Sequence, residues 1–172
     1  MSLLQPAPPF RAEAVSGAGE VRPLALADLR GRWVVLFFYP RDFTAVCPTE
    51  IREFSQRAPE FRALGAEVVG CSVDGVESHR AWIADGLGPV SIPLLADPDR
   101  AIARSYGALL ESEGVATRAT FLVDPAGVVQ YAAFHNLAVG RSVSETLRVL
   151  EALVRGERTP AEWRPGEPTL GR

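Results

Sequence analysis

Residues 33–39 read WVVLFFY, an unbroken apolar run that stops at Pro40. The run is strand-sized, far shorter than a membrane span, and rich in β-branched and aromatic residues. A strand apolar at every position has both faces buried, as in parallel sheets covered by helices on each side. The residues that follow change period. Cys47, Ile51, Phe54, Ala58 and Phe61 recur at steps of four, three, four and three, one face of a helix. Pro48 suits the first helical turn, where its missing N–H is not needed. Pro59 is expected to kink or break the helix, and Gly65 to end it.

The rest of the chain alternates in the same way. AEVVGCSV (66–73) reads as a second buried strand and VESHRAWIA (76–84) as a helix. DGLGPVSIP (85–93) reads as a Gly/Pro loop and DRAIARSYG (99–107) as a short helix. RATFLVD and VVQYAAF read as strands joined by a turn at Asp124-Pro125-Ala126-Gly127. The last helix starts at SVSE, where Ser142 and Glu145 have capping-box spacing. Val143, Leu147, Leu150 and Val154 form its apolar face, and Gly156 stops it. The first thirty residues, rich in Pro, Gly and Ala, read as a hairpin and loops. These elements describe an α/β, thioredoxin-like fold: a central mixed sheet flanked by helices, with an N-terminal hairpin. One domain is expected over residues 1–172, with residues 156–172 as a short C-terminal tail.

Composition narrows the function. With 172 residues, 47% hydrophobic and 23% charged, the chain can bury a sizeable core. A net charge of -3 gives no basic surface for nucleic acid. No apolar run reaches membrane-span length, and MSLLQPAPPFRAE lacks the regions of a signal peptide, so a cytoplasmic location is expected. Two cysteines make no disulfide framework, and two histidines without Cys-x-x-Cys give no expectation of a metal. All 18 basic residues are arginine.

Cys47 is the residue to explain. It falls in the first turn of a helix, at the carboxyl end of a central strand, where open α/β sheets commonly build reactive pockets. A helix start favours an anion, and the thiolate is the reactive form of cysteine. Thr44 supplies a hydroxyl that can donate to the sulfur or accept from a substrate O–H. Pro48 covers one side of the sulfur and Pro40 closes the other flank of the loop. A lone cysteine is more often a packed apolar side chain. The helix-start position and the flanking Thr and Pro tip the reading to a reactive one.

At these residues the chain resembles the peroxiredoxins. Pro40, Thr44 and Cys47 meet the pattern Pro-x-x-x-Thr-x-x-Cys, and FFYPRDFTAVCPTE is similar to the alkyl hydroperoxide reductase C, or typical two-cysteine, group of the AhpC/TSA family. VVGCSVDGVESHRAW, DGLGPVSIPLLADP, RATFLVDPAGVV, AVGRSVSETLRVLEAL and GERTPAEWRPGEPTL resemble that group in the same order. The resemblance implies reduction of hydrogen peroxide and alkyl hydroperoxides without a metal or organic cofactor. It implies that Cys47 is the peroxidatic cysteine and passes through a sulfenic acid. Thr44 then holds the peroxide, and Arg118 stabilises the thiolate and polarises the peroxide. Glu50 and Arg141 orient Arg118. On residue type alone, Arg118 reads as a surface strand residue, and Glu50 and Arg141 as solvated charges. His79 and His135 match no catalytic position and read as ordinary structural residues. Homodimers, and decameric rings of dimers, are also implied.

The tail departs from the pattern. Where the family has a resolving cysteine before Pro-Ala-x-Trp, this chain has Thr159, while Pro160, Ala161 and Trp163 are kept. A threonine forms no disulfide. Cys71, the other sulfur, lies within an expected buried strand and reads as an inert packed thiol; the rival is an intramolecular bridge to Cys47. The expectation is a one-cysteine peroxidase whose sulfenic acid is reduced by an external thiol, either a small thiol or a thioredoxin or glutaredoxin. The alternative is a peroxide sensor or holdase chaperone on the same scaffold.

Overall fold

The structure, a computed structural model, describes residues 2–172. The chain begins with β1 (Arg11–Gly17), β2 (Glu20–Ala25) and β3 (Trp33–Phe38), then α1 (Cys47–Ala63) and β4 (Ala66–Ser72). There follow α2 (Val76–Trp82), β5 (Val90–Ala96), α3 (Ala101–Ser105), β6 (Leu109–Leu110) and β7 (Val115–Ala116). It closes with β8 (Arg118–Val123), β9 (Val129–His135) and α4 (Val143–Arg155). Seven strands make one mixed sheet, ordered β2-β1-β5-β4-β3-β8-β9, and β6 and β7 pair separately. β3, β4 and β5 run parallel at the centre. The β1–β2 and β8–β9 hairpins add antiparallel margins on either side.

The uniform apolarity of residues 33–39 has its reason here. Val35, Phe37 and Tyr39 face a core layer built with α1, α4 and the end of α2. Val34, Leu36 and Phe38 face a second layer that includes Ile102, Tyr106 and the N-terminal Phe10. Each such buried side chain contributes about 1.5–3 kcal/mol. Gly70 lets the layers close: a Cβ there would lie 2.8 Å from Leu94 and 2.9 Å from Phe37. Phe37 therefore lies flat over β4 and stacks on Phe54, with ring centroids 4.3 Å apart.

Two prolines behave differently from expectation. α1 runs unbroken through Pro59, which is exposed. The carbonyl it leaves without a helical partner is that of Ser55, four residues back. The Ser91 hydroxyl donates to that carbonyl at 2.7 Å, so the lost bond is replaced from β5. β5 itself occupies part of the expected 85–93 loop. Pro93 hides it in the sequence but costs little in the sheet. Pairing with β4 begins only at Leu94, and the register with β1 shifts between Val15 and Gly17, so Pro93 falls at an irregularity.

The final helix follows its signals in part. The Ser142 hydroxyl accepts from the Glu145 amide at 3.1 Å, and Gly156 takes φ +66° as the stop. The reciprocal half of the capping box is absent, because the Glu145 carboxylate pairs with Arg148. Val143, Leu147 and Leu150 are buried, but Val154 is exposed at the last turn, contrary to the expected face. Residues 156–172 fold back on themselves through Arg158–Gly171 and Leu170–Arg158 amide bonds, with Trp163 fully buried beneath Arg155.

Candidate active site

Cys47 is the first residue of α1, just beyond the carboxyl end of β3, and its side chain is fully buried. β8 runs antiparallel to β3 with Phe37 opposite Thr120. That register carries Arg118, two residues earlier, past the end of β3 and over the start of α1. Its Nη1 donates to Cys47 Sγ at 3.4 Å and to Glu50 Oε2 at 2.7 Å. Its Nε donates to the Leu137 carbonyl at 2.8 Å.

Glu50 follows Cys47 by three residues and so shares its helix face. It is almost completely buried and bridges two arginines. Arg141, in the loop before α4, gives Glu50 Oε1 its backbone N–H at 2.8 Å and its Nε at 2.9 Å. The Arg141 guanidinium also donates to the carbonyls of Phe38 and Ala119 and to the Thr120 hydroxyl, and lies over the Phe37 ring. Burial works to raise the Glu50 carboxyl, but the hydrogen bonds and charge of Arg141, with Arg118 adding, outweigh it. Glu50 therefore titrates below its ordinary range.

The chemistry follows from charge balance. Two buried guanidiniums face one carboxylate, which leaves an excess positive charge where ions are costly to leave unpaired. An anion at the position of Cys47 Sγ would meet that charge through Arg118 Nη1, 3.4 Å away.

Not every expected group is assembled. Pro40 is buried, two residues past the end of β3. The Thr44 hydroxyl, by contrast, donates to the Arg41 carbonyl at 3.1 Å, and Thr44 is exposed. Of the two roles open to that hydroxyl, donation to the sulfur is not made, because the loop turns it back on its own backbone. Cys71 is fully buried in the core layer on the opposite face of the sheet from Cys47. Burial, then the charge of Asp97, pushes its thiol well above the ordinary range. Thr159 takes no part in the hydrogen bonds of the Cys47 cluster. The Cys47 side chain is fully buried, so the sulfur is enclosed by its neighbours.

His79 touches no residue of the Cys47 cluster; it is fully buried and lies 2.7 Å from the buried Asp42 in the loop before Cys47. Val76, His79 and Ile83 have helical spacing, the signal that puts His79 on the core side of α2. His135, paired across the hairpin with Arg118, contributes its carbonyl to Thr117 and stays a strand residue.

Residues 3–132 match the AhpC/TSA family. The chain is 49% identical to peroxiredoxin-2 of Macaca fascicularis and 47% identical to a peroxiredoxin of Cynops pyrrhogaster. Each alignment spans 175 residues and covers 96% of this chain and 88% of the relative. Among solved structures it is similar to the reduced 2-Cys peroxiredoxin of Plasmodium vivax, with a TM-score of 0.93 and 36% identity over 98% of this chain and 92% of that one. It is also similar to AhpC of Enterococcus faecalis, with a TM-score of 0.85 and 35% identity over 89% and 93% of the two chains.

Proposed function

The chain belongs to the AhpC/TSA family and is a thiol-dependent peroxidase, and we propose that Cys47 is its only redox sulfur, resolved by an external thiol. The Cys47 thiolate attacks the terminal oxygen of the hydroperoxide. The O–O bond breaks, the leaving oxygen takes a proton and departs as water or alcohol, and the sulfur becomes a sulfenic acid. A first external thiol displaces water from that sulfur to give a mixed disulfide. A second thiol releases Cys47 and leaves as the disulfide. Arg118 neutralises the attacking sulfur and polarises the peroxide, Glu50 and Arg141 hold Arg118, and Pro40 walls the site. Thr44 turns from Arg41 to the bound peroxide.

The observation that carries this reading is the sheet between the two sulfurs. Cys71 faces away from Cys47, and a disulfide needs side chains that converge with Cα atoms within about 7 Å. With Thr159 in the tail, no other cysteine of this chain is available. The experiment is intact mass after one equivalent of hydrogen peroxide, on wild type and Cys71→Ala. Both should gain one oxygen on Cys47, and both should turn over equally with an added thiol. A quantitative Cys47–Cys71 disulfide would sink the proposal.

The reductant is a small thiol, a thioredoxin or a glutaredoxin, and the setting is the cytoplasm. No helix among the described residues is long and apolar enough to cross a membrane. β9 is a margin strand of the sheet with Phe134 exposed at 53%, an edge suited to a second copy of the chain. The chain is a homodimer that can assemble further into a decamer. Sedimentation velocity should give at least a dimer, and a monomer at micromolar concentration would refute it.

A further inference from the structure

Asp42 and His79 form a second buried charge cluster that the peroxide chemistry above does not use. His79 Nε2 lies 3.1 Å from the Leu95 carbonyl of β5. A carbonyl oxygen only accepts, so Nε2 carries a proton. Nδ1 lies 2.7 Å from Asp42 Oδ2. That oxygen also accepts from the Ser78 hydroxyl at 2.7 Å, and Oδ1 accepts from the Tyr39 hydroxyl at 3.0 Å. A carboxylate surrounded by donors accepts from Nδ1–H as well, which makes His79 an imidazolium. Burial works to lower His79, but the hydrogen bond and charge of Asp42 raise it, with the Leu95 carbonyl and Asp74 adding, and the net shift is upward.

The location matters more than the charge. Asp42 lies five residues before Cys47 and is the only buried residue of 41–45. Its backbone N–H donates to Asp74 Oδ2 at 2.9 Å, an oxygen that also accepts from the Ser72 hydroxyl at 2.7 Å. The next residue, Phe43, takes φ +55°, a conformation an aromatic residue adopts only when its surroundings hold it. Asp42 is thus the fixed point of the loop, gripped by Tyr39, Ser78, His79 and Asp74.

We propose that the His79–Asp42 ion pair is a positioning device for the peroxide reaction, setting the loop that carries Thr44 and delivers Cys47 to Arg118. It acts through the loop, since neither side chain hydrogen-bonds to Cys47, Glu50 or Arg118. The proposal rests on Cys47 as the reacting sulfur.

The test has one arm on the unaltered protein and one on variants. Nitrogen-15 NMR of the wild type should find both His79 ring nitrogens protonated at about pH 6.5. His79→Gln and Asp42→Asn should each lower the second-order rate with hydrogen peroxide about tenfold or more per folded molecule, the scale of a small misplacement. The double variant should be no worse than the poorer single, because the pair acts as one unit. His79 is raised in the folded protein, so the pair's hold is complete at lower pH and is lost as pH rises through that raised value. The wild-type rate should therefore decline on the alkaline side, and His79→Gln should not share the decline. The charged and titratable groups facing His79 are Asp42, Asp74 and Tyr39. Burial pushes Tyr39 well up, and the chain has no lysine to confuse the profile. A neutral single tautomer of His79 at that pH, or variant rates within twofold of wild type, would overturn the proposal. A wild type whose Cys47 stays unoxidised would instead overturn the Cys47 reading, while the NMR arm still decides the ion pair.

Discussion

Arg118→Met should lower the second-order rate with hydrogen peroxide by about 10²–10³, the cost of removing a donor aimed at developing charge in a closed site. Methionine keeps the aliphatic length, so the core changes little. Glu50 keeps both oxygens paired with Arg141. What is lost is the donor at 3.4 Å from Sγ and the positive charge that a negative sulfur balances. The remaining cluster is neutral, so an ionised Cys47 becomes the uncompensated charge. Arg118→Lys should recover only part of the rate. A lysine restores the charge but cannot reach Sγ, Glu50 and the Leu137 carbonyl from one rigid fork. Competition kinetics against a catalase-type scavenger, with slow alkylation of Cys47 as a second readout, measure both effects. An Arg118→Met protein within threefold of wild type would remove Arg118 from the reaction.

Which parts of this were readable from the sequence follows from range. The apolar run 33–39 and the Cys47–Phe61 periodicity are local, and the structure has a strand and a helix there. The β8–β9 turn is local too: the Asp124 side chain accepts from the Ala126 and Val128 amides. Residues 90–93 misled because Pro93 argues against a strand, and only the register of β1 and β4 makes it harmless. Pro59 misled for the same kind of reason: its compensation comes from Ser91, 36 residues from Ser55. The ion cluster has no local signature. Glu50 meets partners 68 and 91 residues away, so only family resemblance pointed to it. His79 matched no catalytic pattern, and its 37-residue separation from Asp42 concealed a contact that only the fold brings together.

Glu50→Gln should separate stability from chemistry in the opposite sense to Arg118→Met. The side chain keeps its shape but loses the one negative charge shared by two buried guanidiniums. Breaking a buried pair in this way costs about 3–5 kcal/mol, because a charge is left without compensation, and urea unfolding should register it. Acid behaviour gives an independent check. The Glu50 carboxyl is lowered in the folded protein relative to about 4.3 when unfolded. Its stabilisation is therefore complete above that value and is lost as pH falls through the lowered one. Wild type should lose stability steeply below about pH 4, and Glu50→Gln, already without the charge, should lose less over that window. The peroxide rate per folded molecule should fall less than in Arg118→Met, since both cations stay near the sulfur and only their aim loosens. If Glu50→Gln instead kept wild-type stability, the two arginines would have to be compensated elsewhere, and the charge balance assigned to Cys47 would fail with it.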